Sequence, residues 1–307
     1  MTRSIDRRLF LQSTVATAAG ISLTGMVGPS RQTSLLHAAE KRRCSTPTAE
    51  KIGWPVSCQI YTFRRFSFYE ALGMLDKLGV RYVEPGFFLP LDRKQPGLTT
   101  SEALSPRLRR EMKKRMADHG MTMPSYYAGI STDKNAAVKA FEFCKEMGAK
   151  IIVAEPPAEA FDMVEELCDE YEIDLAVHNH PKSPTSHYWN PESVLAVCKG
   201  RGKRIGACCD TGHWVRSGLN PIESLKKMEG RINSFHLKDV IESGNPAARD
   251  VPLGTGVANY TDVLKELKRQ KYQGLMAVEY EHDSPKLVEE VAECLAFVEK
   301  TAKELSR

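Results

Sequence analysis

Residues 205–239 read IGACCDTGHWVRSGLNPIESLKKMEGRINSFHLKD, and the pattern in this stretch decides the fold. A short apolar run, Ile205–Asp210, is followed by an amphipathic segment, Pro221–Met228, and then by a second apolar run, Ile232–Leu237. Short runs rich in apolar and β-branched residues predict buried strands, whereas apolar residues at helical spacing predict helices. The stretch therefore predicts a strand–helix–strand unit.

The same alternation extends from about residue 56 to the end of the chain. The predicted strands are Cys58–Phe63, Arg81–Phe87, Thr122–Tyr127, Lys150–Glu155, Asp174–Asn179, Ile205–Asp210, Ile232–Leu237 and Leu275–Tyr280. The predicted helices are Phe68–Leu78, Leu108–His119, Ala136–Met147, Ala160–Tyr171, Glu192–Cys198, Pro221–Met228, Tyr260–Arg269 and Lys286–Leu305. Strict alternation favours an α/β fold, a single (β/α)8 TIM barrel over residues 56–307, with an open doubly wound sheet as the alternative.

The N-terminal segment has the features of an export signal. Asp6–Leu11 reads DRRLFL and resembles the twin-arginine signature, and a mildly apolar run, Ser13–Gly28, follows it. This run is too short and too mild for a membrane span. We predict a twin-arginine-type signal peptide over residues 1–39, a polar linker over 40–55, no stable membrane span after processing, and a periplasmic location. An amphipathic or disordered arm is the alternative.

The charge distribution argues against a nucleic-acid partner. The chain carries a formal charge of +4, and residues 1–39 contribute +3 of it. The remaining body is nearly neutral, whereas a nucleic-acid binder needs a basic surface. With a hydrophobic content of 42%, the composition is that of an ordinary globular protein. We expect an enzyme that acts on a small molecule.

Titratable residues follow the apolar cores of the later strands. Glu155, Asp210, His236 and Glu279 each end or follow a predicted strand. Active residues of such barrels lie at the carboxyl ends of the strands, and three carboxylates there would repel one another without a cation. A ligand set of oxygen and nitrogen atoms suits one divalent ion, Mn²⁺, Mg²⁺, Co²⁺ or Zn²⁺. Because this set of four residues contains no cysteine, a purely structural zinc site is disfavoured. For each residue alone, a strand-end cap or a salt bridge is the alternative.

Four motifs carry a resemblance to a known family. They are Asp210–His213 (DTGH), His236–Asp239 (HLKD), Leu253–Gly256 (LGTG) and Val278–Glu281 (VEYE). Over residues 56–304 the chain resembles the sugar phosphate isomerase/epimerase superfamily of xylose isomerase-like barrels. This superfamily includes ketose 3-epimerases, inosose dehydratases and, more distantly, endonuclease IV nucleases. The resemblance implies a TIM barrel in which Glu155, Asp210, His236 and Glu279 hold one divalent metal ion.

The resemblance also implies roles for individual side chains. Glu155 and Glu279 correspond to the two glutamates that accept and return a proton in the epimerases. His213 resembles the substrate-binding histidine of the family, with a cap at the start of a helix as the alternative role. We also assign substrate contacts to His180, Lys238 and Arg249. Lys238 stabilises an oxyanion or pairs with a neighbouring aspartate in a solvated loop, and the sequence leaves both roles open.

These expectations favour an isomerase or epimerase that acts on a non-phosphorylated sugar, keto-sugar or cyclitol through an enediolate. The export signal and the lack of a phosphate-binding motif argue against a phosphorylated substrate. A lyase or hydratase that acts on 3-keto-glycosides, or an inosose-type dehydratase, is the alternative, because the same enediolate can expel an oxygen. A non-catalytic sugar-binding barrel and a nuclease rank below these two.

The predicted partner is a small-molecule carbohydrate substrate. Barrels of this family often self-associate, so the resemblance is compatible with a homo-oligomer.

Overall fold

The structure is a computed structural model that describes residues Cys44–Arg307. The predicted signal peptide and the first residues of the predicted linker lie outside the described residues. Within Cys44–Arg307, no helix has the length and apolar character needed to cross a membrane.

Eight parallel strands form one sheet, as the alternation predicted. They are β1 (Val56–Gln59), β2 (Tyr82–Glu84), β3 (Ser125–Tyr127), β4 (Ile151–Ala154), β5 (Asp174–His178), β6 (Ile205–Asp210), β7 (Ile232–Leu237) and β10 (Met276–Val278). Their order in the sheet is β2-β1-β10-β7-β6-β5-β4-β3. Sequential strands are therefore neighbours throughout, with β10 between β7 and β1, which is the connectivity of a barrel.

The sheet closes between β2 and β3. Tyr82 and Gly86 form parallel bridges to Thr122 and Tyr127, and the backbone N–H of Val83 donates to the Thr122 carbonyl at 3.0 Å. The edges that an open doubly wound sheet would leave are thus paired. The (β/α)8 TIM barrel is confirmed.

Helices cover the outside of the barrel. They are α1 (Pro47–Lys51), α2 (Phe68–Lys77), α3 (Pro106–Asp118), α4 (Lys134–Met147), α5 (Phe161–Tyr171), α6 (Pro191–Cys198), α7 (Thr211–Arg216), α8 (Pro221–Lys227), α9 (Tyr260–Arg269) and α10 (Leu287–Leu305). Several begin with a side-chain cap. Ser67 and Glu70 form a reciprocal capping box at α2, and Asn190 and Asn220 cap helices that begin with proline.

The first predicted strand ends earlier than its composition indicates. Residues 60–63 form a short 3₁₀ turn, because the side chain of Gln59 accepts a hydrogen bond from the N–H of Tyr61 at 2.5 Å. A β-rich composition does not reveal this local competition for the backbone.

Part of the predicted linker belongs to the barrel. The Glu299 carboxylate on α10 accepts hydrogen bonds from the N–H groups of Thr48 and Ala49 at 2.9 and 3.2 Å, and from the Thr48 hydroxyl at 2.7 Å. These contacts satisfy the free N–H groups at the start of α1. Trp54, only 1% exposed, packs into the main core.

The apolar core has two parts. The larger part lies between the strands and the surrounding helices. A smaller cluster of Val153, Ala176 and Cys208, with Tyr127 and Ile151 packed against it, lies on β3–β6. All eight cysteines are free, and seven of them are buried.

The long segment after β7 is ordered by one carboxylate. A two-stranded antiparallel hairpin, β8 (Asp239–Val240) and β9 (Asp250–Val251), starts this segment. The side chain of Asp239, only 1% exposed, accepts four backbone hydrogen bonds of 3.0–3.1 Å. The donors are the N–H groups of Val240, Gly254, Gly256 and Ala258. Asp239 therefore anchors this loop and forms no solvated ion pair with Lys238.

We expect Asp239→Asn to destabilise the protein by about 3 kcal/mol, because an amide nitrogen replaces an acceptor that two buried N–H groups need. Urea denaturation measures the loss. Asp169→Asn, at a carboxylate that is 74% exposed, is the control and should change stability by less than about 0.5 kcal/mol. Equal stabilities of the two variants would show that the loop does not depend on Asp239.

Candidate metal centre and active site

Four buried side chains converge at the carboxyl ends of adjacent strands. His178 ends β5, Asp210 ends β6, His236 lies on β7 and Glu279 directly follows β10. One ligand atom from each of the four lies within 4.8 Å of the others. Metal–ligand bonds of about 2.1 Å place two ligands of one ion up to about 4.2 Å apart, so small side-chain shifts would close this group around an ion. The group contains three of the four residues predicted from sequence, with His178 in the place of Glu155.

Glu155 lies behind His178 and not in this group. Its Oε1 lies 2.6 Å from His180 Nδ1 and 3.7 Å from His178 Nδ1, and it accepts a hydrogen bond from the Tyr127 hydroxyl at 2.7 Å. Burial disfavours the charged carboxylate, but the His178 and His180 imidazoles outweigh burial and lower the pKa of Glu155. Glu155 thus lies on the side of His178 away from Asp210, where a carboxylate that closed to hydrogen-bond distance would hold a metal-binding imidazole.

His236 has a similar support, which the sequence analysis missed. Its Nε2 lies 2.7 Å from Glu84 Oε1, and its Nδ1 lies 3.0 Å from Glu279 Oε2. The Ser125 hydroxyl donates to the other oxygen of Glu84 at 2.5 Å. An N–H directed at Glu84 leaves Nδ1 with a lone pair on the side of Glu279. The only signal in the sequence was a glutamate at the end of the second strand.

Three buried atoms of the group lack the hydrogen bonds that buried polar atoms normally make. Among the described residues, His178 Nδ1, His178 Nε2 and Asp210 Oδ2 have no hydrogen-bond partner. The carboxylates of Glu155 and Asp210 lie 3.7 Å and 3.8 Å from the two nitrogens of His178. Unpaired buried acceptors are rare and mark places where an ion completes the site. Imidazole nitrogens and carboxylate oxygens fit a divalent metal ion.

A network of ion pairs surrounds this group. The Lys238 ammonium lies 3.0–3.2 Å from Asp210, Glu279 and Glu281, and the Arg216 guanidinium lies 2.5 Å from Glu281 and from Asp250. The network places four carboxylates beside two cations, an environment that favours a bound cation. Burial raises the pKa of Glu281, but Lys238 outweighs it and lowers that pKa to about 2.

His213, which the sequence analysis predicts to bind substrate, is buried between two cations. Its Nε2 lies 3.1 Å from Lys238 Nζ, and its Nδ1 lies 3.2 Å from an Arg216 nitrogen. Burial, with Lys238 nearby, lowers the pKa of His213 well below its ordinary value. The imidazole is therefore neutral near pH 7. Its backbone N–H also donates to Asp210 at 2.8 Å, so the residue takes part in the cap of α7 as well.

A cavity of about 540 Å³ opens at this site. It is lined by Gln59, Tyr61, Phe88, Tyr127, His178, His180, Pro181, His213, Arg216, Glu279 and Glu281. His180 and His213 thus line the cavity, whereas Lys238 lies buried beside it. Arg249 is not in the lining and is exposed. The arginine in the cavity wall is Arg216, which follows the DTGH motif on α7.

Comparison with known proteins agrees with the TIM-barrel fold. The family model described as xylose isomerase-like TIM barrel matches residues 73–300. The chain belongs to this family.

Within the xylose isomerase-like family, several matched relatives are named inosose dehydratases. The one from Geobacillus thermodenitrificans is 27% identical over 227 residues, which cover 58% of this chain and 75% of that protein. The one from Clostridium botulinum (strain Eklund 17B) is 26% identical over 141 residues, which cover 41% of this chain and 46% of that protein. The chain thus spans less than half the length of that relative.

Solved structures share the xylose isomerase-like fold. An uncharacterized protein from Parabacteroides distasonis is 30% identical, with a TM-score of 0.64 over 81% of this chain and 99% of that one. A xylose isomerase-like TIM barrel protein from Mycobacterium smegmatis, solved in complex with magnesium, is 18% identical, with a TM-score of 0.67 over 83% of this chain and 98% of that one.

The geometry predicts that His178 is a metal ligand and Glu155 is its support. We expect His178→Asn to weaken metal binding by more than 100-fold, whereas Glu155→Gln should weaken it by about 10–100-fold, as outer-shell changes do. Competition with a fluorescent chelator measures both dissociation constants. A larger loss in Glu155→Gln than in His178→Asn would instead make Glu155 the ligand that its sequence position indicated.

Glu84→Gln should also weaken metal binding by about 10–100-fold. The neutral amide is a weaker acceptor than the carboxylate for the His236 N–H and would orient the imidazole less firmly. The same chelator competition provides the measurement. Glu223→Gln, at a side chain that is 62% exposed, is the control. If the two variants bind metal equally well, Glu84 does not position His236.

Proposed function

We propose that this protein is a metal-dependent enzyme that removes a proton next to the carbonyl of a non-phosphorylated keto-sugar or cyclitol. One observation carries the proposal. Glu279 belongs to the buried group His178, Asp210, His236 and Glu279 and also lines the cavity. The same carboxylate can therefore hold a metal ion and reach a substrate.

The residues present define the chemistry. A divalent ion in the group would polarise a substrate carbonyl and acidify the neighbouring C–H bond. Two imidazoles favour Zn²⁺, Co²⁺ or Mn²⁺ over Mg²⁺. The recorded hydrogen bonds and ion pairs of Glu279, within the described chain, all involve Oε2, so Oε1 is available to accept the proton. His213 lines the cavity as a neutral imidazole, with Lys238 at its Nε2 and Arg216 at its Nδ1.

The cavity supports a substrate without phosphate. Arg216 is the one arginine or lysine in the cavity lining, and its guanidinium already pairs with Asp250 and Glu281 and donates to the Ala248 carbonyl. A phosphate group needs cations or N–H groups that are free to bind it. An exported location, which we propose from the twin-arginine-like segment, fits the same substrate class.

Enolisation leads to an isomerase or epimerase if the proton returns to carbon, and to a lyase if a neighbouring oxygen leaves. An epimerase of the family type needs two glutamates at the reacting carbon, and here Glu155 is held by Tyr127, His178 and His180 outside the ligand group. His180 lines the cavity, and its Nδ1 faces Glu155. Its Nε2 can therefore donate a proton to the oxygen that leaves the substrate. With relatives named inosose dehydratases, these observations favour the lyase.

Metal-loaded protein in D₂O tests the proposal with a panel of inososes, 3-keto-glycosides and free ketoses. Proton exchange next to the carbonyl in one class is expected. A product in which carbon is deuterated and its configuration inverted identifies an epimerase, whereas a conjugated enone, seen by its ultraviolet absorbance, identifies a lyase.

Glu279→Gln should lower the exchange rate by at least 1,000-fold, because a neutral amide cannot accept the proton. The exposed carboxylate variant Glu289→Gln is the control and should exchange at the wild-type rate. No exchange by metal-loaded wild-type protein with any ketone of the panel would contradict the proposed function.

A further inference from the structure

Lys238 places an ammonium group inside the metal centre. Its side chain is fully buried, and Nζ lies 3.1 Å from Asp210 Oδ2, 3.0 Å from Glu279 Oε2 and 3.2 Å from Glu281 Oε2. The first two oxygens are also the carboxylate atoms nearest His236 Nδ1, at 4.0 and 3.0 Å. The ammonium and a metal ion would therefore use the same two carboxylate oxygens.

The surrounding fold is built to hold this lysine. The aliphatic part of Lys238 crosses Gly212, where a Cβ atom would overlap its Cβ, Cγ and Cδ atoms. The backbone of Lys238 is fixed at both ends: its N–H donates to the Tyr260 hydroxyl at 2.6 Å, and its carbonyl accepts from the Thr211 hydroxyl at 3.1 Å. The DTGH and HLKD motifs thus meet at this side chain, and contacts from both motifs hold it in its buried position.

The ammonium is close to its carboxylates but does not satisfy them. Asp210 Oδ2 has no hydrogen bond of normal geometry from any described residue, although Nζ is 3.1 Å away. The contact is therefore mainly electrostatic. Arg216 also pairs with Glu281, so the ammonium is shared mainly between Asp210 and Glu279, two negative charges at one positive charge.

We propose that Lys238 is an internal cation that holds Asp210, Glu279 and Glu281 together in the ion-free protein and opposes the metal ion that binds to them. The inference rests on the metal-binding part of the proposed function. An ammonium and a divalent cation that share Asp210 and Glu279 repel each other at short range in a buried site. Lys238 therefore stabilises the empty site and limits metal affinity.

The test compares Lys238→Met with the wild-type chain in chelator competition, with Mn²⁺ and Zn²⁺ as probes. Removal of the ammonium should tighten metal binding by at least tenfold, because the metal no longer shares Asp210 and Glu279 with a second cation at 3.0–3.1 Å. The melting temperature of ion-free protein should fall, and the rise on addition of metal should be larger than in the wild type. Lys226→Met, at an exposed lysine on α8, is the control and should match the wild type.

A variant that folds only with metal supports the inference, and Lys238→Gln, which is neutral but polar, should then show the same gain in affinity. Unchanged or weaker metal binding by both variants, with normal binding by the wild type, would overturn it, because a merely structural lysine would not oppose the metal. A wild-type protein that binds neither metal would contradict the proposed function as well.

Discussion

The structure depends on how three buried carboxylates are balanced at the carboxyl ends of the strands. Asp210, Glu279 and Glu281 lie around a single ammonium, that of Lys238, and like charges at this depth would not remain ionised without nearby cations. The backbone that carries the lysine is fixed by the hydroxyl groups of Thr211 and Tyr260. Gly212 leaves the space that its side chain occupies. The DTGH and HLKD motifs, which are separate in the sequence, therefore both contribute to the charge balance around these carboxylates.

The imidazoles of His178 and His236 have similar surroundings in the candidate metal centre. Each has a carboxylate on the side away from Asp210: Glu84 behind His236 and Glu155 behind His178. The first contact is a hydrogen bond of 2.7 Å, and the second, at 3.7 Å, is longer than a hydrogen bond. The His178 imidazole thus has the weaker carboxylate support of the two, and an ion that drew it towards Asp210 would fix its orientation.

Periodicity predicted the barrel well, because alternating strands and helices leave few other topologies. β6 and β7 were predicted to the residue, and Asp210, His236 and Glu279 followed from their positions at strand ends. Sequence position could not rank Glu155 against His178, since both end adjacent strands and differ only in the direction of the side chain. Arg249 was predicted to contact substrate, but the arginine in the cavity lining is Arg216, which reaches the cavity from α7.

The position of Glu155 bears on the reaction. Epimerisation delivers a proton to the face opposite the one it left, which requires two acid–base groups on either side of one carbon. Here one glutamate of the expected pair is part of the metal centre, and the other is bound by a tyrosine and two histidines. Elimination needs only one base at carbon and a donor near the departing oxygen. Under the proposed function, the contacts of Glu155 therefore favour elimination over epimerisation.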